Sequence, residues 1–133
     1  MGTKYTVDAN GNVTNAGTIT PSGVVVFPSA SFSASGGTIT PNATTTSTVF
    51  VTVDAVATIN GPTSGYNGQK VIFRLAQDGS GHTVTFNTGA GNFSFSTDIP
   101  SFTASGASLT DYVGVIYNSL TNRWNIVGVV KGF

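Results

Sequence analysis

The stretch Asp111-Tyr112-Val113-Gly114-Val115-Ile116-Tyr117-Asn118, then Ser119 to Asn122, then Arg123-Trp124-Asn125-Ile126-Val127-Gly128-Val129-Val130 sets two apolar, β-branched runs on either side of a polar turn. Only Lys131-Gly132-Phe133 follow. This pattern predicts a β-hairpin whose C-terminus ends inside the folded body. Alternation along a strand pairs Trp124 with Ile126 and makes the indole a core plug. Tyr117 shares a face with Val113 and Val115, a core or subunit contact. Tyr112 and Tyr117, an odd number of residues apart, face opposite sides.

The rest of the composition points the same way. The 133-residue chain fits one domain and is long enough to bury about two-thirds of its unfolded surface. It has no Cys and no Glu, only three Leu (Leu75, Leu109, Leu120) and one Met, while Thr, Ser, Gly, Asn and Val abound. Good helix formers are scarce and strand and turn formers plentiful, so the expected class is all-β. The absence of Cys excludes disulfides and thiolate metal sites.

Outward from the hairpin, other strands read clearly. Lys70 to Gln77 alternates, with Val71, Phe73 and Leu75 on one face and Lys70 and Arg74 on the other. Asp78-Gly79-Ser80-Gly81 reads as a hairpin turn into His82 to Asn87, where Val84 and Phe86 face the core. Val49 to Val53 and Ala55 to Ile59 read as strands broken near Asp54, and Gly61 to Gly68 as a loop. Asn92 to Ser96 is a short strand, and Ser101 to Ser108 a loop. Strands at this spacing with polar turns suggest a β-sandwich or jelly roll over residues 46–133.

Residues 1–45 differ. Tyr5-Thr6-Val7 and Val13-Thr14-Asn15 form an expected small hairpin with Asn10-Gly11 at its turn. Gly17-Thr18-Ile19-Thr20-Pro21-Ser22 recurs twenty residues on as Gly37-Thr38-Ile39-Thr40-Pro41-Asn42. Two copies do not establish a solenoid, and chance recurrence in a Thr-rich chain is the alternative. Between them, Val24-Val25-Val26-Phe27 cannot alternate in and out, so both faces are expected to be covered. This segment is read as an extended attachment or oligomerisation arm, with Val24, Val25, Val26 and Phe27 as its interface candidates.

Charge narrows the functional classes. Five basic residues balance five Asp, scattered along the chain. There is no basic face for nucleic acid, no polybasic membrane anchor and no apolar run long enough to span a bilayer. The N-terminus carries no apolar signal region.

Candidate chemistry is thin. His82 is the only His and has no Cys or Glu to build a metal site or triad with. Paired carboxylates for glycoside hydrolysis would come from Asp54, Asp78, Asp98 and Asp111, but turn and strand-start contexts account for the last three. No calcium-loop spacing appears. Asp78 to Gly81 and Gly89-Ala90-Gly91 precede strands, not the helix a phosphate loop needs, so both read as hairpin turns. Neither a cofactor nor a metal is expected, and the chain is read as a non-enzyme. Tyr66, in its Gly-rich loop, is the best single candidate for sugar contact. Excess two-sided apolar segments in a small chain argue for self-association, which also covers strand edges.

The order Gly68-Gln69-Lys70-Val71-Ile72-Phe73-Arg74-Leu75-Ala76-Gln77-Asp78-Gly79-Ser80-Gly81-His82-Thr83-Val84-Thr85-Phe86, followed by Asp111 to Tyr117 and Arg123-Trp124-Asn125-Ile126-Val127-Gly128, resembles the C-terminal β-domain of bacteriophage fibre and virion-decoration proteins. The resemblance covers about residues 50–133. The Asp8 to Val13 segment is similar to hairpin modules of trimeric phage fibres. The resemblance implies a virion surface protein made in the host cytoplasm, partnered by itself as a homotrimer and by the major capsid protein or another virion protein. The short chain, with no evident shaft, favours a capsid-decoration (cement or head-fibre) role. The alternative it implies is a tail-fibre tip that recognises host glycans.

Overall fold

The computed structural model describes Tyr5–Val7, Ala9, Val13–Asn15 and residues 26–133. The chain is all-β. Strands β1 (Tyr5–Val7) and β2 (Val13–Asn15) pair antiparallel, with Tyr5 opposite Asn15, as the Asn10-Gly11 spacing predicts. The turn itself lies outside the described residues, as do Val24 and Val25.

From Ser29 onward the chain winds. β3 (Ser29–Ser33), β5 (Thr48–Val53) and β7 (Lys70–Gln77) lie side by side in parallel in one sheet. β4 (Thr38–Ile39), β6 (Ala57–Ile59) and β8 (Val84–Phe86) lie side by side in parallel in another. Among the described residues the chain crosses from the first sheet to the second three times, making three stacked coils. Ser29 lies beside Thr48, Thr38 beside Thr58, Thr48 beside Ile72 and Ala57 beside Val84, so one turn takes from 19 to 27 residues. Residues 29–44 are therefore strands of the same two sheets as residues 48–86.

Stacked coils line up like residues. Ile39, Ile59 and Phe86 occupy one inward row, and Thr38, Thr58 and Thr85 the row beside it. The Gly37–Asn42 copy of the sequence repeat is the second side of the first coil. Its counterpart Gly17–Ser22 lies outside the described residues.

Two expectations about turns are corrected. Asp78 to Gly81 is not a hairpin turn, because β7 and β8 belong to different sheets and do not pair. It is a coil corner. The corner is clamped by buried Gln77, whose amide donates to the His82 carbonyl (2.8 Å) and accepts from the His82 N–H (2.7 Å). Gly81 turns it with φ +73° in a spot where a Cβ would come 2.9 Å from the Ala107 nitrogen. Gly89 to Gly91 is likewise no hairpin turn, since the next strand, β9 (Phe93–Ser94), pairs in parallel with β11 (Arg123–Val130). The break near Asp54 is another corner. Asp54 accepts from the Ser33 hydroxyl (2.7 Å) and the Ser35 N–H (2.8 Å), tying its corner to that of the coil before.

The six-stranded sheet runs β3-β5-β7-β10-β11-β9. β10 (Thr110–Asn118) pairs antiparallel with both β7 and β11, so the predicted hairpin closes the edge of the last coil. Its register shifts between Gly114 and Val115 at a bulge. The six-stranded sheet is thus mixed and the three-stranded one parallel, and antiparallel pairing is found in β1–β2 and at β10 with its two neighbours. The last residue is held there: Thr110 N–H donates to the Phe133 carbonyl (2.9 Å), and Phe133 N–H to the Thr110 carbonyl (3.0 Å).

Both sheets share one core. Phe73, Phe86 and Phe93 meet edge to face at 4.8–5.7 Å between centroids, and Phe102 packs on Phe86. Trp124 is fully buried, and its indole N–H donates to the Pro62 carbonyl (2.9 Å). No helix among the described residues is long and apolar enough to cross a membrane.

Candidate attachment face and ligand groove

Strand alternation sends Val71, Phe73 and Leu75 inward and leaves Lys70, Ile72 and Arg74 on the outer face. Register carries that face across the sheet. One row runs Ser31, Phe50, Arg74, Tyr112, Val130. The next runs Ser29, Thr48, Ile72, Gly114, Gly128. A surface sheet of a monomer is polar on this side, yet Ile72 is 48% exposed and Val130 57%. Arg74 lies over the Phe50 ring at 5.7 Å, and Tyr112 meets Phe133 edge-on. Beside Ile72 the two glycines leave a flat floor, where added Cβ atoms would touch nothing.

Ile72 also borders a groove of about 520 Å³, with Phe27, Tyr66, Asn67, Gln69 and Lys70 around it. The loop that presents Tyr66 is pinned from below. Gln69 donates its amide to the Ala43 carbonyl (2.6 Å) and accepts from the Tyr66 N–H (3.2 Å), while Asn67 accepts from the Ser119 N–H (3.1 Å). The Tyr66 ring is left 67% exposed on the same groove as Phe27, itself 70% exposed. Among the described residues Lys70 is the one charged residue in the lining. Phe27, an interface candidate, and Tyr66, the sugar-contact candidate, thus lie on one groove. Val26 beside Phe27 is exposed as well, so the described residues of this chain do not supply the cover that the apolar run calls for.

The remaining candidates are occupied by the backbone. Asp78 accepts from the Ser80 and Gly81 N–H groups and sits 3.3 Å from His82 Nε2, beside a cavity of about 360 Å³. The Ser80 N–H first, then the His82 ring and Gly81 N–H, hold its carboxyl below the usual carboxylate range. Asp54 is lowered too, chiefly by the Ser33 hydroxyl. Asp111 is buried, accepting from the Ser105 N–H and hydroxyl and from the Gly132 N–H. Among the described residues no three His, Cys, Asp or Glu side chains gather as a metal site would require. Trp124 and Tyr117 pack on each other at 5.0 Å and form no exposed platform.

Sequence reading missed the outer face that carries Phe50, Arg74 and Val130 in one row and Ile72 in the next. The signal lay in β7, where alternation puts an isoleucine between two cations on the polar face. That Phe27 and Tyr66 line one groove had no signal at all, because thirty-eight residues and a coil stacking separate them. No family model matches the chain, and no curated protein matches it.

Proposed function

We propose that the chain is a non-enzymatic virion structural protein of a bacteriophage, a capsid-decoration (cement or head-fibre) protein that assembles as a homotrimer and stabilises the shell. The observation that carries this reading is the exposure of Ile72 and Val130 on the outer sheet face, with Ile72 also bordering the groove at Phe27. Exposed faces of this kind mark interaction surfaces. Covering one contributes about 25 cal/mol per Å² of apolar area, and three linked copies multiply weak attachments to a repeating shell. The two sheets on a shared core are read as sandwich-like in layering, with stacked coils in place of a jelly-roll connection. The partners of this reading are other copies of the chain and the major capsid protein or another virion protein, not nucleic acid or membrane. Its place is the virion surface, after synthesis in the host cytoplasm.

Light scattering behind a sizing column tests assembly. The expected mass is three times the 13.5 kDa chain, falling to one chain in the double variant Ile72→Asp, Val130→Asp. A wild-type monomer that neither binds purified shells nor raises their heat resistance would overturn the reading. The second reading, a tail-fibre tip that binds host glycans, is favoured by Tyr66 and Lys70 on an open groove, since sugars stack on aromatic rings. There, Tyr66→Ala abolishes glycan or cell binding and leaves the mass unchanged.

A further inference from the structure

The cavity of about 360 Å³ beside His82 lies between two segments distant in sequence, the corner Ser80 to Thr83 and the loop Phe102 to Ala107. Gly81, at φ +73°, lets them close, for a Cβ there would lie 2.9 Å from the Ala107 nitrogen. Behind each segment stands a buried polar residue. Gln77 holds both backbone groups of His82, its amide donating to the carbonyl (2.8 Å) and accepting from the N–H (2.7 Å). Asp111 accepts from the Ser105 N–H (2.7 Å) and hydroxyl. Among the described residues the buried polar or charged side chains are Thr46, Gln77 and Asp111, so two of the three hold the walls of this cavity. A buried polar group is costly unless hydrogen-bonded. Two such groups behind one opening fix its shape in advance, as a ligand site requires.

We propose that this cavity binds a neutral sugar residue, at a site separate from the groove at Tyr66. The lining selects that class. Ser80, Thr83, Thr103 and Ser105 bring hydroxyls to it, and Val84 and Phe102 bring apolar surface. A wholly apolar ligand would strip water from the hydroxyls and put nothing in its place. Charge argues against ions. The ionisable groups in or behind the walls, among the described residues, are Asp78, His82 and Asp111. Both carboxylates repel an anion. Each already accepts hydrogen bonds from the chain, Asp78 from Ser80, Gly81 and the His82 ring and Asp111 from Ser105 and Gly132, so neither stands ready for a cation. A sugar ring carries hydroxyls around its rim and C–H groups across its faces, the same mixture as the lining. The volume falls at the lower end of the range of about 300–1,000 Å³ usual for small-molecule sites, which suits one terminal residue better than a chain. This inference is independent of the proposed virion role, which rests on assembly and shell binding.

Nuclear magnetic resonance on the full isotope-labelled chain tests it. Glucose, galactose, mannose and N-acetylglucosamine are titrated in turn, each to its solubility limit. At least one gives saturable shifts of the amides from Gly81 to Val84 and from Thr103 to Ala107. Thr83→Val with Thr103→Val keeps the shape of two exposed lining residues and removes their hydroxyls. It weakens that sugar at least about tenfold, as the loss of two hydrogen bonds requires. Thr103→Trp obstructs the cavity and abolishes the shifts, while unmoved β10 and β11 amides show that the fold is intact. No saturable shift at the cavity from any of these sugars overturns the proposal. So do shifts confined to Tyr66 through Lys70, which assign the sugar to the groove, and shifts that survive both variants. Inorganic phosphate producing the same saturable shifts overturns it too, and makes the cavity an anion site.

Discussion

The coils and the C-terminal hairpin solve the same problem, pairing every strand, in opposite ways. In the hairpin, Asn118 faces Arg123 across a short turn, and pairing runs on to Tyr112 and Val130. Its strands are nine and eight residues long. In the coils, neighbours in space lie 19 to 27 residues apart along the chain, and the second-sheet strands are two or three residues long. Each coil contact must close a longer loop before it is rewarded. Side chains at the corners make up for what the short ladders lack. Asp54 joins two corners, Gln77 clamps a third, and Thr40, Asn60 and Asn87 form a polar row along the stack. The hairpin is held by its backbone ladder, the coils by core rows and corner caps.

Trp124 is where the two halves meet, and it offers the largest test of the contrast. Its ring belongs to β11 but fills the space beside Gly61 and Gly65, where an added Cβ would lie 2.9 and 2.6 Å from it. Trp124→Ala is expected to cost about 3–5 kcal/mol, read by chemical denaturation. Because the indole also caps Pro62, hydrogen exchange should show β6 and β11 losing protection together. Loss confined to β11 would break the idea that the hairpin closes the coils as one cooperative unit.

Asp111 sharpens the comparison from the hairpin side. It is buried, with Ser105 and Gly132 donating to it. Asp111→Ala leaves those N–H groups without their acceptor, an expected loss of about 1–3 kcal/mol. Exchange should quicken first in the loop at Ser105 and at the Phe133 end, with the Ile39–Ile59 row unaffected. A uniform loss across the coils would show that the C-terminal anchor holds the stack, not only the hairpin.

The smallest effect is that of pH on the corners. Asp54 and Asp78 both titrate below the usual carboxylate value when folded. The unfolded chain therefore binds protons first as pH falls, and the stability these groups contribute is present above the ordinary Asp range, near pH 4. It is lost as pH drops through their folded values. Asp54→Asn should flatten that acid decline in a thermal-melting series, whereas an unchanged decline would remove Asp54 from the corner role. Both carboxylates are solvent-exposed, so salt and water keep the effect modest.

Much of this molecule was legible strand by strand. Alternation in Lys70 to Gln77, the paired runs around Ser119 to Asn122, and Asn10-Gly11 between Tyr5 and Asn15 each carry their own evidence within a dozen residues. What failed was the step from strand to partner. Asp78-Gly79-Ser80-Gly81 has the composition of a hairpin turn, and nothing local tells a hairpin from a corner that hands the chain to another sheet. The groove at Phe27 and Tyr66 was hidden for the same reason.

By itself the sequence determined that this protein is built of strands, where most of them run and which of their side chains are apolar, because those properties follow from φ/ψ preference and a period of two. The tertiary structure alone decided which strands are neighbours, that the Thr38-Ile39 pair stacks on Thr58-Ile59 one coil on, and that Ile72 and Val130 share an open face. Parallel pairing in the coils joins residues 19 to 27 positions apart through backbone groups common to every residue. Its register is set by how the whole coil closes around the core.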